Sequence, residues 1–170
     1  MGHTLYMTHE PRLTTALRAL LSAQRVAALG TLGADGHPFV SMAPFAVDTH
    51  SGKVVIHVSG LAPHTRNLLS SPEVSLMVMQ AEVAQEPVHA LPRVTLVGVA
   101  SPLDTGGDAW KSARTAYLER FPEAEPMTQL GDFMFVGITI HAAHQVAGFG
   151  AARALDAQAI AEVLCPVGKA

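Results

Sequence analysis

Two stretches decide the fold class: Val26-Ala27-Ala28-Leu29-Gly30-Thr31-Leu32 and Phe39-Val40-Ser41-Met42-Ala43-Pro44-Phe45-Ala46-Val47-Asp48, joined across Ala34-Asp35-Gly36. The first is short, apolar and unbroken except at Gly30, which is a strand's length rather than a helix's. Asp-Gly accepts the positive φ that a hairpin connection demands, so the second stretch returns antiparallel to the first. Pro44 falls inside it. A proline has no N–H for a ladder, so that position requires a sheet edge or a bulge. Thr49-His50-Ser51-Gly52 makes a second turn, and Lys53 to Val58 alternates with β-branched residues as a third strand. The chain opens as a β-meander.

Upstream, Leu13, Ala16, Leu17, Leu20 and Leu21 recur at helical spacing and predict an amphipathic helix over 11–24, with Pro11 in its first turn. Downstream, a small-residue loop over 59–63 leads to a short helix, His64 to Ser70, stopped by Pro72. Val74 to Met79 reads as a fourth strand, 81–92 as a long loop and Arg93 to Ala100 as a fifth strand. A helix with Trp110, Ala113, Tyr117 and Leu118 on one face is broken by Pro122 and Pro126. Asp132 to His141 reads as a sixth strand and Gln145 to Phe149 as a seventh, and Asp156 is placed to cap a last helix running to Leu164. Short strands joined by hairpin turns, without regular βαβ alternation, predict a barrel. With no repeat and no linker, residues 1–170 read as one domain.

Composition narrows the function. Apolar residues make up 49% of the chain and charged residues only 15%. That leaves apolar surface for a dimer interface to cover. A net charge of −3 argues against a nucleic-acid module, and no apolar run approaches the length of a membrane span. Cys165 is the single cysteine, so no disulfide forms within the chain. The start of the chain lacks the pattern of a signal peptide, and the cytoplasm is the expected compartment.

Three segments could carry chemistry. The first is the turn into the helix at 64–70, where Thr65, Arg66 and free backbone N–H groups suit a phosphate; an ordinary strand-to-helix connection is the alternative. Arg93 and Thr95 are two apart on a strand and face one side, although an Arg at a strand edge also serves simply to reach water. Around Pro44, Ser41, Met42 and Ala43 leave backbone groups free of the ladder, of the kind that read a flavin ring edge. His141 and His144 have a spacing that suits a metal on a helix, but a strand end does not put both on one face, and no metal site is assigned. His57 and His64 flank the phosphate-like turn.

The order and spacing of these segments, from Val26–Leu32 through Asp35–Ser41, His64-Thr65-Arg66-Asn67-Leu68, Arg93–Gly98, Phe121-Pro122 and Gly131-Asp132-Phe133 to Val146–Gly150, resemble the FMN-binding split-barrel proteins related to pyridoxamine 5′-phosphate oxidase, nearest their haem-utilisation branch. The resemblance runs from about Leu13 to about Leu155. It implies a mainly β fold with flanking helices: a six-stranded antiparallel split barrel that forms a homodimer with FMN at the interface. By position it implies Thr65, Arg66 and Asn67 at the phosphate, Ser41, Met42 and Ala43 along the flavin ring, and Val58 and Ser59 beside the ribityl chain. Arg93 and Thr95 reach the ring or phosphate from nearby. The Arg-x-His signature of the vitamin B6 oxidases is missing, since this end reads Gly148-Phe149-Gly150-Ala151-Ala152-Arg153. The extra C-terminal domain of many haem-degrading members is missing too, which argues against haem cleavage. The expectation is therefore an FMN-dependent oxidoreductase on an unidentified small molecule, with no catalytic residue assigned. A flavin or haem carrier without turnover stays open beside it.

Overall fold

The structure, a computed structural model, describes residues 11–165. Seven strands form one antiparallel sheet: β1 (Val26–Leu32), β2 (Pro38–Asp48), β3 (Lys53–Ser59), β4 (Glu73–Met79), β5 (Arg93–Pro102), β6 (Phe133–Val146) and β7 (Ala152–Asp156). Their order is β3-β2-β1-β4-β5-β6-β7, and a further β3–β6 pairing closes the first six into a barrel. The expected six-stranded split barrel is what the chain forms. β7 adds to β6 outside the closure. Helices α1 (Arg12–Ala23), α2 (Pro63–Ser70), α3 (Asp108–Arg120) and α4 (Ala157–Leu164) pack around it.

Alternation fills the barrel. Leu29, Phe45, Ile56, Leu76, Leu96 and Ile138 point inward and are fully buried, and Leu17 of α1 and Ile160 of α4 close the core. A second apolar layer lies on the opposite face of β2, β3 and β6. There Ala113 and Tyr117 of α3, with Trp110 and Leu118 beside them, cover Ala46, Val55 and Phe135. The four-residue face read from the sequence is the face that packs.

The structure differs from the sequence reading at the first helix and in the last strands. Pro11 precedes the first helix as its cap position rather than opening it. Pro44 takes the edge, one of the two placements expected of it: its register partner is Val26, and pairing with β3 starts only at Phe45. The sixth and seventh strands read from sequence are one strand, β6, and the expected seventh ends instead in the hairpin to β7, with Gly148 at φ 131 and Gly150 at φ 70. The bulge lies in β6, where the register against β5 shifts between Val97 and Gly98 and leaves His141 without a partner in the ladder. Asp156 caps α4 as expected, its carboxylate accepting from Ala159 N–H at 2.9 Å.

Candidate functional site at the split of the barrel

The split follows from register. β2 pairs with β3 only over Phe45–Asp48, while β3 continues along β6 to Ser59. Residues 38–44 of β2 therefore face no strand on that side among the described residues. Phe45 N–H bonds Arg25 O and Gly33 N–H bonds His37 O, so odd-numbered residues of β2 spend their backbone groups on β1. The groups free along the edge are those of Val40 and Met42, together with the Pro44 carbonyl. Of the three residues expected to follow a flavin ring, Met42 alone offers free backbone groups. Ala43 is buried in the core, and Ser41 turns its side chain toward α2.

The loop from β3 and the first turn of α2 occupy the mouth of the split. Thr65 is fully buried and its hydroxyl donates to Ser59 O at 2.7 Å, so it shapes the loop rather than facing outward. Ser59 Oγ donates to Asp132 Oδ2 at 3.0 Å and accepts from Leu61 N–H. Asn67 Nδ2 donates to Thr31 Oγ1 at 3.1 Å and fastens α2 to β1. Val58 points into the core. The free N–H groups expected in this turn are fewer than thought: Pro63 has none, and those of Thr65 and Arg66 both return to Ala62 O. Arg66 is left as the exposed cation. Its guanidinium donates to Leu61 O at 2.9 Å, and it pairs with no carboxylate among the described residues.

His64, expected only to flank the turn, is part of the site. Its Nδ1 lies 3.0 Å from Ser41 Oγ, the hydrogen bond that joins the edge strand to the helix. Burial holds the pKa of His64 below its ordinary value, which keeps the ring neutral near pH 7. The signal in the sequence was the position of His64, one residue after the proline that opens the helix.

Arg93 and Thr95 share the outer face of β5, as their spacing implied, because Val94 between them is buried. They do not join Arg66 within one protomer. Ala100 N–H bonds Pro72 O, so the chain leaving α2 meets the far end of β5, roughly 20 Å of strand from Arg93. Arg93 instead donates to Leu91 O at 3.0 Å and holds the preceding loop.

The outer face carrying Thr95 is continuous. Met42, Ala28, Met77, Thr95 and His144 are successive partners across β2, β1, β4, β5 and β6. Val26, Val40, Met42, Met77, Met79 and Val99 on this wall are exposed. Among the described residues no cluster of His, Cys, Asp or Glu could hold a metal ion, and no helix is long and apolar enough to cross a membrane.

Comparison with known proteins agrees with this architecture. The haem oxygenase HutZ of Vibrio cholerae is 33% identical over 142 residues, 83% of this chain and 80% of HutZ. The chloroplastic non-canonical haem oxygenase HOZ of Arabidopsis thaliana is 34% identical over 119 residues, and the matched part is only 34% of HOZ. Among solved structures, a haem-binding protein from Mycobacterium smegmatis superposes with a TM-score of 0.80 at 29% identity, over 90% of this chain and 61% of that one. HutZ, there described as a haem storage protein, superposes at 0.69 with 30% identity, over 75% of this chain and 89% of that one. The match covers 80% of a protein called a haem oxygenase, so the expected lack of a C-terminal domain is no argument against haem cleavage. The sequence model of the pyridoxamine 5′-phosphate oxidase family matches residues 13–147, and the chain belongs to that family.

Proposed function

We propose that this chain is a haem-binding protein that works as a homodimer in the cytoplasm. The observation that carries the reading is the outer wall of β1, β2, β4 and β5. Six large apolar side chains stand exposed on it, which is more than a lone surface normally leaves to water. A tetrapyrrole needs such a bed, an axial ligand and cations for its propionates. His144 presents an imidazole on this face beside Thr95, His141 presents a second one with its Nε2 3.6 Å from the Glu73 carboxylate, and Arg93 lies at the margin. The residues therefore fit the group. Bound haem would supply a redox-active iron, while the chain's own part is to cover the ring, offer His144 and exclude water. A second copy laid on the same wall would cover what one ring leaves open. The matches to HutZ and to the mycobacterial haem-binding protein support this reading.

The second reading is FMN, as the family's description suggests. The free edge at Met42 and the carboxylate-free cation Arg66 at the split favour it. Titration of the purified protein with haemin and, separately, with FMN tests both. A saturable Soret shift that weakens in His144→Ala supports haem. Flavin fluorescence quenched at one equivalent per protomer, with no Soret response, would replace haem by FMN. Neither response would sink both.

A further inference from the structure

Resting on the reading that a haem or a flavin binds this chain, we infer that His64, held by Ser41, takes up a proton when an anionic group of the ligand settles at the mouth of the split, so that affinity there is proton-linked. The shared chemistry is anionic oxygen: the phosphate of FMN, or a propionate of a haem held by His144 of a second copy, since four strand spacings, about 19 Å, separate His144 from the β2 edge within one protomer.

The geometry supplies the parts. His64 stands in the first turn of α2, two residues before Arg66. Its Nδ1 is taken by Ser41 Oγ at 3.0 Å, which fixes the ring between β2 and α2 and leaves Nε2 for something else. A hydroxyl is a partner of a particular kind. It donates to Nδ1 when the ring is neutral and accepts from Nδ1–H when the ring is charged, so both protonation states keep the bond. A carboxylate there would fix the charged form.

No group nearby supplies that charge balance. On α2 the other charged side chain is Arg66, also a cation. On the hairpin before β2, Asp35 and His37 pair with each other at 3.0 Å, and both line a cleft of about 390 Å³ shared with Pro63 and Asn67. On the loop before β6, Asp132 is held by Ser59. β2 and β1 contribute only Ser41 and Thr31. Among the described residues neither His64 nor Arg66 has a carboxylate within ion-pair distance. The ring is half-buried and neutral without ligand. An incoming anion favours its charged form, and the proton comes from solvent.

The test is calorimetry in two buffers of different ionisation enthalpy, from about pH 7 to about pH 8.5, above the second phosphate pKa of about 6. FMN is compared with riboflavin, and haemin with haemin dimethyl ester. Imidazole resonances of the free and loaded protein report His64 directly. The expected result is proton uptake with the anionic member of a pair and none with its neutral counterpart. The His64 titration midpoint should rise into this pH range on loading, and affinity should then fall several-fold from its lower to its upper end. His64→Gln should lose both the uptake and the slope while its circular dichroism stays unchanged. Uptake with FMN alone assigns the anion to phosphate, and uptake with haemin alone assigns it to a propionate. Binding without proton uptake, or uptake that persists in His64→Gln, overturns the inference and leaves the binding reading standing. Failure of all four probes to bind overturns both.

Discussion

His57 shows what a single residue's surroundings decide. It lies on β3 between the rings of Phe135 at 4.4 Å, Phe133 at 5.1 Å and Tyr117 at 5.8 Å, and among the described residues its buried Nδ1 has no hydrogen-bond partner. Burial lowers its pKa from 6.5 to about 4. Between those values the unfolded chain binds more protons than the folded one. The stability tied to the neutral ring is therefore complete above about pH 6.5 and drains away as pH falls toward about 4. Urea unfolding midpoints should drop between about pH 7 and pH 5, and His57→Phe should flatten that slope. An unchanged slope would put the acid sensitivity elsewhere. Arg66 is the opposite case, an exposed cation with open donors. If it meets a phosphate, Arg66→Ala removes a charge-assisted contact of about 1.5–3 kcal/mol. FMN should then bind roughly ten- to a hundredfold more weakly, with riboflavin little changed. Equal losses for both would make Arg66 a support of the loop through Leu61 O. The sequence could flag Arg66, because it stands in the first turn of a helix that follows a small-residue loop. It could not disclose that Thr65 faces inward, since a hydroxyl in a helix's first turn serves a ligand or the loop equally well.

Element boundaries were legible wherever turn chemistry was strong. Asp35-Gly36, Ser51-Gly52, Pro63, Pro72 and Asp156 each mark an observed end, and Gly36 and Gly52 carry the positive φ that such turns need. β6 was misread because His141-Ala142-Ala143-His144 has little strand propensity, and because a bulge lets a strand continue after its alternation slips. Ala152–Asp156 is as weak a strand former; its place beside β6 comes from long-range pairing that local sequence does not carry. Gly98 bears the consequence of the bulge. A Cβ there would run into the Thr139 carbonyl oxygen, with Ile140 Cδ1 and Ile138 Cγ2 close behind. Gly98→Ala should destabilise the β5–β6 pair by about 1–3 kcal/mol, read as a lower melting temperature. Gly36→Ala meets no atom within 4 Å and costs only its positive φ, so it should lower the melting temperature less. Equal losses would mean that the backbone at the bulge relaxes.

At the scale of the molecule, the question is how Arg66 and Arg93 could serve one ligand. Arg66 lies on α2, whose exit meets the end of β5 opposite Arg93, so a site that uses both takes one from each of two copies. The exposed wall carrying Met42 and Met77 is the surface on which a second copy would have to lie. Met42→Glu with Met77→Glu should then turn a dimer into a monomer by light scattering, because paired carboxylates cannot be desolvated cheaply in an apolar interface. The barrel should survive, since both side chains face away from the core. The composite site gives a sharper test. An Arg66→Ala homodimer and an Arg93→Ala homodimer each carry two damaged sites. A mixed dimer carries one site that lacks both arginines and one that has both. It should bind one ligand per dimer at the unmodified protein's affinity, whereas each parent binds two weakly. If the Arg93→Ala homodimer instead binds two ligands at the unmodified protein's affinity, each ligand draws its contacts from one protomer. Arg93 then keeps the role its hydrogen bonds to Leu91 O and His89 O already give it, that of holding the loop ahead of β5.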